Sequence, residues 1–370
     1  MRFSFTEEQD ALRDAARTFF ERKSPQDEVR RLLLTDSGYD ESTWHQMADL
    51  GLQGLAIPEE FGGAGATFIE VAVVLEEAGR VLLPAPYFAS VVLAANALLL
   101  SGDKAAQERW LPPIAAGELI ATVAHTDDSG RWDPAGITVT ATKDGDQWRL
   151  SGVKRFVIDG LAASLIIVAA QAGDGVRLFA VEDGAPRLER TAQEPMDLTR
   201  RLATVTLTGT PAVPLGTAGD QWDVLERVLQ LAAIGLAAEQ AGGAQAVLDL
   251  TVRYSKERVQ FGKPIGAFQA VKHKAAEMLL DVESARSIAY YAASRAAADD
   301  DDLQVAASLA KSYCSEAYFR TTAACIQLHG GIGFTWEHAA HLYFRRAKSS
   351  EIYLGDGNYH RDLLAGRLSA

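Results

Sequence analysis

Two short strings carry residue types that hold anions. In Arg258-Val259-Gln260-Phe261-Gly262-Lys263-Pro264 an arginine closes a helical pattern and enters a turn-rich segment. A guanidinium fixed there is always charged and forks onto a pyrophosphate through two parallel hydrogen bonds. In Ile326-Gln327-Leu328-His329-Gly330-Gly331-Ile332-Gly333 two adjacent glycines remove the side chains that would keep an anion away from backbone N–H groups. Either string alone reads more simply as a helix-ending arginine or a tight connecting turn; the two together favour an anion site. His273, His329 and His360 invite catalytic roles, but His329 sits in the glycine turn and neither His273 nor His360 has a nearby nucleophile or metal-ligand partner, so packing or hydrogen bonding is expected of all three and no metal site is expected. Cys314 and Cys325 lack metal-type spacing and are expected to be reduced core thiols.

The elements that must position these strings fall into three zones. Thr6-Glu7-Glu8-Gln9 has the pattern of a capping box, and Leu12, Ala15, Ala16, Phe19 and Phe20 follow at helical spacing. Helical patterns continue over 39–50, 68–80, 88–100 and 103–116, interrupted by Pro58 to Gly63 and by Pro84 and Pro86. Near Ala121 the texture changes to β-branched runs at 137–142, 148–151, 155–158, 165–170, 176–181 and 202–208, with turn signals such as Asp144-Gly145 between them. After Gly219 long Ala/Leu-rich helical segments return, at 221–254, 266–298, 303–328 and 338–353. The expected organisation is an N-terminal α-helical domain (1–120), a middle β-barrel (121–218) and a C-terminal four-helix bundle (219–370) whose apolar surface calls for a partner chain.

A formal charge of −13 with dispersed Lys and Arg sets the field of the molecule against nucleic acid. No apolar run is long enough for a membrane span. The start Met1-Arg2-Phe3-Ser4-Phe5 has no basic region followed by an apolar stretch, so a cytoplasmic location is expected.

This organisation, with the strings Gly51 to Gly63, Arg258 to Ile265 followed by Phe268-Gln269, and Ile326 to Phe334, resembles the acyl-CoA dehydrogenase superfamily over essentially the whole chain. The resemblance implies an FAD-dependent enzyme that introduces an α,β double bond into an acyl-CoA thioester, a carboxylate removing the α-proton while the β-hydrogen leaves as hydride. It further implies that Arg258, Gln260, Phe261, Gln269, Gln327, Leu328, Gly330 and Gly331 hold the adenosine diphosphate half of an FAD bound mainly by a neighbouring subunit. Thr126 and Phe156 fall on the flavin side.

The chain departs from the family where the chemistry sits. Arg345-Arg346-Ala347-Lys348 leads in register to Tyr353-Leu354-Gly355-Asp356, which puts Leu354 where the family carries its catalytic glutamate. Leucine accepts no proton. The alternative family position for the base, near the start of the first bundle helix, falls at about Ala232 and Ala233, also without a carboxylate. Glu239 and Asp356 are the remaining candidates. On the flavin side Trp132 replaces a serine and Ile158 a hydroxyl residue. Intact adenine-side strings beside altered flavin-side strings resemble the glutamate-lacking subunit of heteromeric, steroid-CoA type acyl-CoA dehydrogenases, with a glutamate-bearing homologous partner in a heterotetramer and an electron-transfer flavoprotein or similar acceptor. The alternatives are a self-sufficient homotetramer using Glu239 or Asp356, and a flavin monooxygenase or non-catalytic scaffold on the same fold.

Overall fold

The computed structural model describes residues 5–299 and 302–368. The first third is helical: α1 (Glu7–Lys23), α2 (Gln26–Leu33), α3 (Glu41–Asp49), α4 (Phe68–Arg80), α5 (Ala95–Leu100) and α6 (Lys104–Ala115). The Thr6 capping box forms as expected, its hydroxyl accepting from the Gln9 N–H at 3.2 Å and its own N–H donating to Gln9 Oε1 at 3.1 Å. Two features differ from expectation. α2 is an additional short helix behind Pro25, and the expected helix over 88–100 opens with a π-helical segment, Phe88–Ala94.

Strands β1 (Ala121–Ala124), β2 (Thr140–Asp144), β3 (Gln147–Ile158), β4 (Leu165–Ala172), β5 (Gly175–Glu182), β6 (Leu188–Ala192) and β7 (Leu202–Pro214) make the middle layer. Pairing runs β4–β2–β3–β7–β5 and closes from β5 back to β4, which makes the sheet a barrel; β1 lies parallel on β4 and β6 antiparallel on β7. The expected strands 148–151 and 155–158 are one strand, β3, whose register against β7 shifts at Leu150/Ser151 and Lys154/Val157. At the second irregularity Phe156 takes a left-handed φ of 54° and stays half-exposed. Such bulges re-aim single side chains near sites.

The last third holds α7 (Trp222–Glu257), α8 (Gln269–Ala297), α9 (Leu303–His329), α10 (Ala340–Ile352) and α11 (Gly357–Leu368), so the four expected helices carry a fifth after a break at Tyr353. A two-residue ladder, β8 (Val259–Gln260) with β9 (Lys263–Pro264), joins α7 to α8. Gly79 and Gly242 let α4 and α7 cross in backbone contact: a Cβ on either would collide with the carbonyl oxygen of Glu239 or Glu76 on the facing helix. One continuous buried cluster runs from Phe20, Trp44 and Leu98 through Leu165 in the barrel to Leu225 and Ala310 in the bundle. No helix among the described residues is long and apolar enough to cross a membrane.

Candidate active site

At one end of the bundle α7 stops at Glu257, and Arg258 leaves it in extended conformation with its N–H bonded to the Tyr254 carbonyl at 2.8 Å. Phe261 and Gly262 form the tip of the β8–β9 ladder, both with positive φ, and Phe261 is 91% exposed. Gln327 and Leu328 lie in the last turn of α9, which Gly330 ends at φ 64°. Tyr254 joins the two strings: its ring stacks on His329 at 4.2 Å and its hydroxyl donates to the His329 carbonyl at 3.4 Å. Arg258, Gln260, Phe261 and Gln269, all exposed, therefore share this end with Gln327, Gly330 and Gly331. A Cβ on Gly331 would meet nothing within 4 Å, so nothing inside the chain requires glycine there. An exposed guanidinium beside an open glycine turn suits a diphosphate arriving from outside the chain, and these residues fit the adenosine diphosphate half of FAD.

At the barrel mouth a bay of about 370 Å³ is lined by Thr126, Gly130, Trp132, Phe156, Met196, Leu202, Ile352 and Tyr353, among others. The Thr126 hydroxyl is buried without a hydrogen-bond partner. Beside it, neither His125 ring nitrogen makes a hydrogen bond of normal geometry, although the ring lies by the Val123 backbone. Burial, helped by Lys154, pushes His125 down to about 4, so the ring is neutral at pH 7. The loop after β1 is fixed from below by a fully buried ion pair between Asp127 and Lys154, with Asp127 also accepting from the Val139 N–H at 2.8 Å. Burial pushes Lys154 down to about 8 against the pull of Asp127. Thr126 and Phe156, expected on the flavin side, therefore both line this bay. Ile158 is buried and is not among the bay-lining residues, whereas Trp132 lines it directly and packs edge-on against Tyr353 at 6.2 Å.

The turn after α10 carries the position of the missing base. Leu354 is buried at φ 64°, a conformation that is strained for a leucine and persists because its surroundings impose it. Those surroundings are two buried side chains. The Lys311 ammonium donates to the carbonyls of Glu351 at 3.0 Å and Gly355 at 2.9 Å, and His360 Nε2 bonds the Leu354 carbonyl at 2.9 Å. Burial pushes Lys311 down to about 7 and His360 down to about 4. The Leu354 side chain faces a chamber of only about 50 Å³ whose walls include Trp132, Trp222, Glu226, Leu229, Ala233, Gln304 and Leu363.

Neither candidate base is free at this turn. Asp356 is exposed and accepts the Tyr359 N–H at 2.9 Å, which caps the start of α11. Glu239 is 6% exposed and held by Arg200 Nη2 at 2.6 Å and Arg346 Nη1 at 2.7 Å, and Arg346 also pairs with Asp197 at 2.7 Å. Burial pushes the Glu239 carboxyl up, but Arg200 and Arg346 outweigh it and hold it below the ordinary glutamate range. A carboxylate bound this way is a poor proton acceptor. Ala232 is buried and Ala233 lines the chamber.

The structure adds a carboxylate that sequence reading missed. Glu226 lies on the chamber wall, bonded by Gln304 at 3.4 Å, its carboxyl raised by burial against the pull of Arg367. Its signal was the helical spacing that puts Glu226, Leu229, Gln230 and Ala233 on one face of α7. Cys314 and Cys325 are free and buried, and burial pushes their thiols up to about 12 and about 11, which leaves them inert at neutral pH. Among the described residues no group of three or more His, Cys, Asp or Glu is placed to hold a metal ion.

Comparison with known proteins identifies the family. Residues 6–118 match the acyl-CoA dehydrogenase N-terminal domain and residues 219–369 the acyl-CoA dehydrogenase C-terminal domain. The acyl-CoA dehydrogenase IpdE2 of Mycolicibacterium smegmatis is 36% identical over 351 residues, 95% of either chain. Among solved structures, the Tcur3481–Tcur3483 steroid ACAD superposes with a TM-score of 0.90 at 34% identity over 98% of both chains. The ChsE4–ChsE5 complex from Mycobacterium tuberculosis superposes with a TM-score of 0.91 at 30% identity over 100% of this chain and 99% of the other. The chain belongs to the acyl-CoA dehydrogenase family of FAD-dependent oxidoreductases.

Proposed function

We propose that this chain is the glutamate-lacking subunit of a cytoplasmic, heteromeric acyl-CoA dehydrogenase acting on a steroid-derived acyl-CoA. In this reading it supplies Arg258, Gln260, Phe261, Gln269, Gln327, Leu328, Gly330 and Gly331 to the diphosphate half of an FAD whose ring sits in a homologous, glutamate-bearing partner. The observation that carries the proposal is Leu354, an uncharged side chain on a turn still braced by Lys311 and His360, with Glu239 and Asp356 both engaged elsewhere. The exposed Leu279 and Leu280 of α8 and Phe334 after α9 offer apolar surface for the partner. The steroid assignment leans on the steroid ACAD structure, and the two-chain assembly on the ChsE4–ChsE5 complex.

Bound FAD would supply the acceptor for the thioester's β-hydrogen as hydride, with an electron-transfer flavoprotein or similar acceptor to take the electrons onward. The α-proton goes to the partner's glutamate, and this chain's contribution is to hold the cofactor's diphosphate. A second reading, a self-sufficient enzyme, is favoured by one observation: Glu226 gives the chamber under Leu354 a carboxylate of raised pKa. The test is dehydrogenation of an acyl-CoA with a dye acceptor, by the chain alone and co-expressed with a glutamate-bearing homologue. The proposal expects turnover in the co-expressed sample alone. Ordinary turnover by the lone chain, lost in Glu226→Gln, makes the second reading the correct one.

A further inference from the structure

The bay at the barrel mouth and the chamber under Leu354 share a single lining residue. The bay measures about 370 Å³ and the chamber about 50 Å³, and Trp132 alone lines both. Its carbonyl accepts from the Tyr359 hydroxyl at 3.3 Å, and its indole packs on Tyr353 at 6.2 Å and on His125 at 5.7 Å. The loop that carries it is tied on its far side, where Asp133 caps the following turn through the Gly136 N–H at 3.1 Å and pairs with Arg131. The indole is thus packed by Tyr353 and His125, while Tyr359 on the chamber wall holds the backbone that carries it.

Size decides what the partition does. A water needs roughly 10–15 Å³ of such volume, so the chamber has room for a few waters, while small-molecule pockets run to several hundred Å³. Of the chamber's other walls, Trp222, Leu229, Ala233 and Leu363 would suit an apolar chain, while Glu226, Gln230 and Gln304 are polar. We propose that Trp132 is the specificity-determining residue that excludes an acyl thioester from this chain, so that its own half of the assembly stays substrate-free for a steric reason separate from the absent base.

The inference rests on the two-chain reading above, and its test reads binding, not turnover. An octyl-CoA thioether, which resists oxidation, is titrated calorimetrically into the co-purified two-chain complex. The parent complex is expected to take one thioether per pair of unlike chains. Trp132→Ala in this chain should open a second class of sites and raise the stoichiometry to one per chain, with affinity for the isolated chain rising roughly tenfold or more. Trp132→Phe keeps an aromatic wall and should stay at the parent value, as should Leu363→Ala, which widens the chamber without touching the partition.

A parent complex that already binds one thioether per chain overturns the proposal, and does so without any variant having to fold. A folded Trp132→Ala protein that stays at one per pair overturns it as well, as does a rise with Leu363→Ala. The two-chain reading fails separately. A lone chain that binds no thioether and still meets no glutamate-bearing partner would keep the partition and sink the partnership.

Discussion

Glu239→Gln separates a structural carboxylate from a catalytic one. The substitution keeps the size of the side chain and removes the charge shared by Arg200 and Arg346, both less than a tenth exposed. Arg346 keeps Asp197 at 2.7 Å and the Thr199 hydroxyl at 2.7 Å, while Arg200 loses its only ion pair among the described residues and retains its stacking over Phe88 at 5.1 Å. Removing one partner of a buried ion pair costs about 3–5 kcal/mol, and the surviving Asp197 contact puts this case near the lower figure. With an unfolding entropy of about 2.1 cal/mol/K per residue, a chain of 370 residues shifts by little more than about 1 °C per kcal/mol, so the melting temperature should fall by roughly 4 °C. Loss of a general base would instead cost roughly 10²–10⁴-fold in rate. Differential scanning fluorimetry with acyl-CoA turnover of the co-expressed complex reads both quantities. A lower melting temperature with turnover unchanged is expected. An unchanged melting temperature with turnover abolished would refute the assignment of Glu239 to structure.

Stability should also fall on acidification, because His125 and His360 are pushed down to about 4 by burial while an unfolded histidine titrates near 6.5. The unfolded chain then binds more protons at these rings between those values, so their stabilisation is complete above pH 6.5 and is lost as pH falls toward 4, about 3 kcal/mol for each ring; Asp159, pushed up to about 6 by burial, offsets about 3 kcal/mol of this as pH falls through 6, which leaves a net loss. Chemical denaturation at pH 7 and pH 4.5 measures it, and equal midpoints would contradict it. Arg258→Ala in this chain alone should weaken FAD retention by the complex by about 1.5–3 kcal/mol, roughly 10- to 100-fold in Kd, read from flavin absorbance after gel filtration. Unchanged FAD content would remove Arg258 from the diphosphate site.

Local signals made much of this architecture readable. The Thr6 box and the apolar run of Phe68–Arg80 gave α1 and α4, where capping chemistry and helical spacing agree. β6, with the sequence Leu-Glu-Arg-Thr-Ala and no buried residue, had no alternation to reveal it, since its place on β7 is set by long-range pairing. α11 was hidden by Gly357, Asn358 and Gly366, poor helix formers that tertiary packing overrides. At the site, Arg258, Gly330 and Leu354 announced themselves through residue type in a fixed string. The engagement of Glu239 did not, because Arg200 and Arg346 are 39 and 107 residues away in sequence. Trp132 was legible as a replacement, yet its position between two cavities arises from the meeting of the barrel mouth with α7 and α11.

On the two-chain reading this chain completes a flavin site whose ring and base belong to another subunit. FAD counted against each polypeptide in the co-purified complex, by flavin absorbance after denaturation with quantitative amino-acid analysis, decides it. One FAD for every pair of unlike chains is the expected result, with turnover abolished by removing the partner's glutamate. One FAD for every chain, with turnover that survives loss of that glutamate, would contradict it.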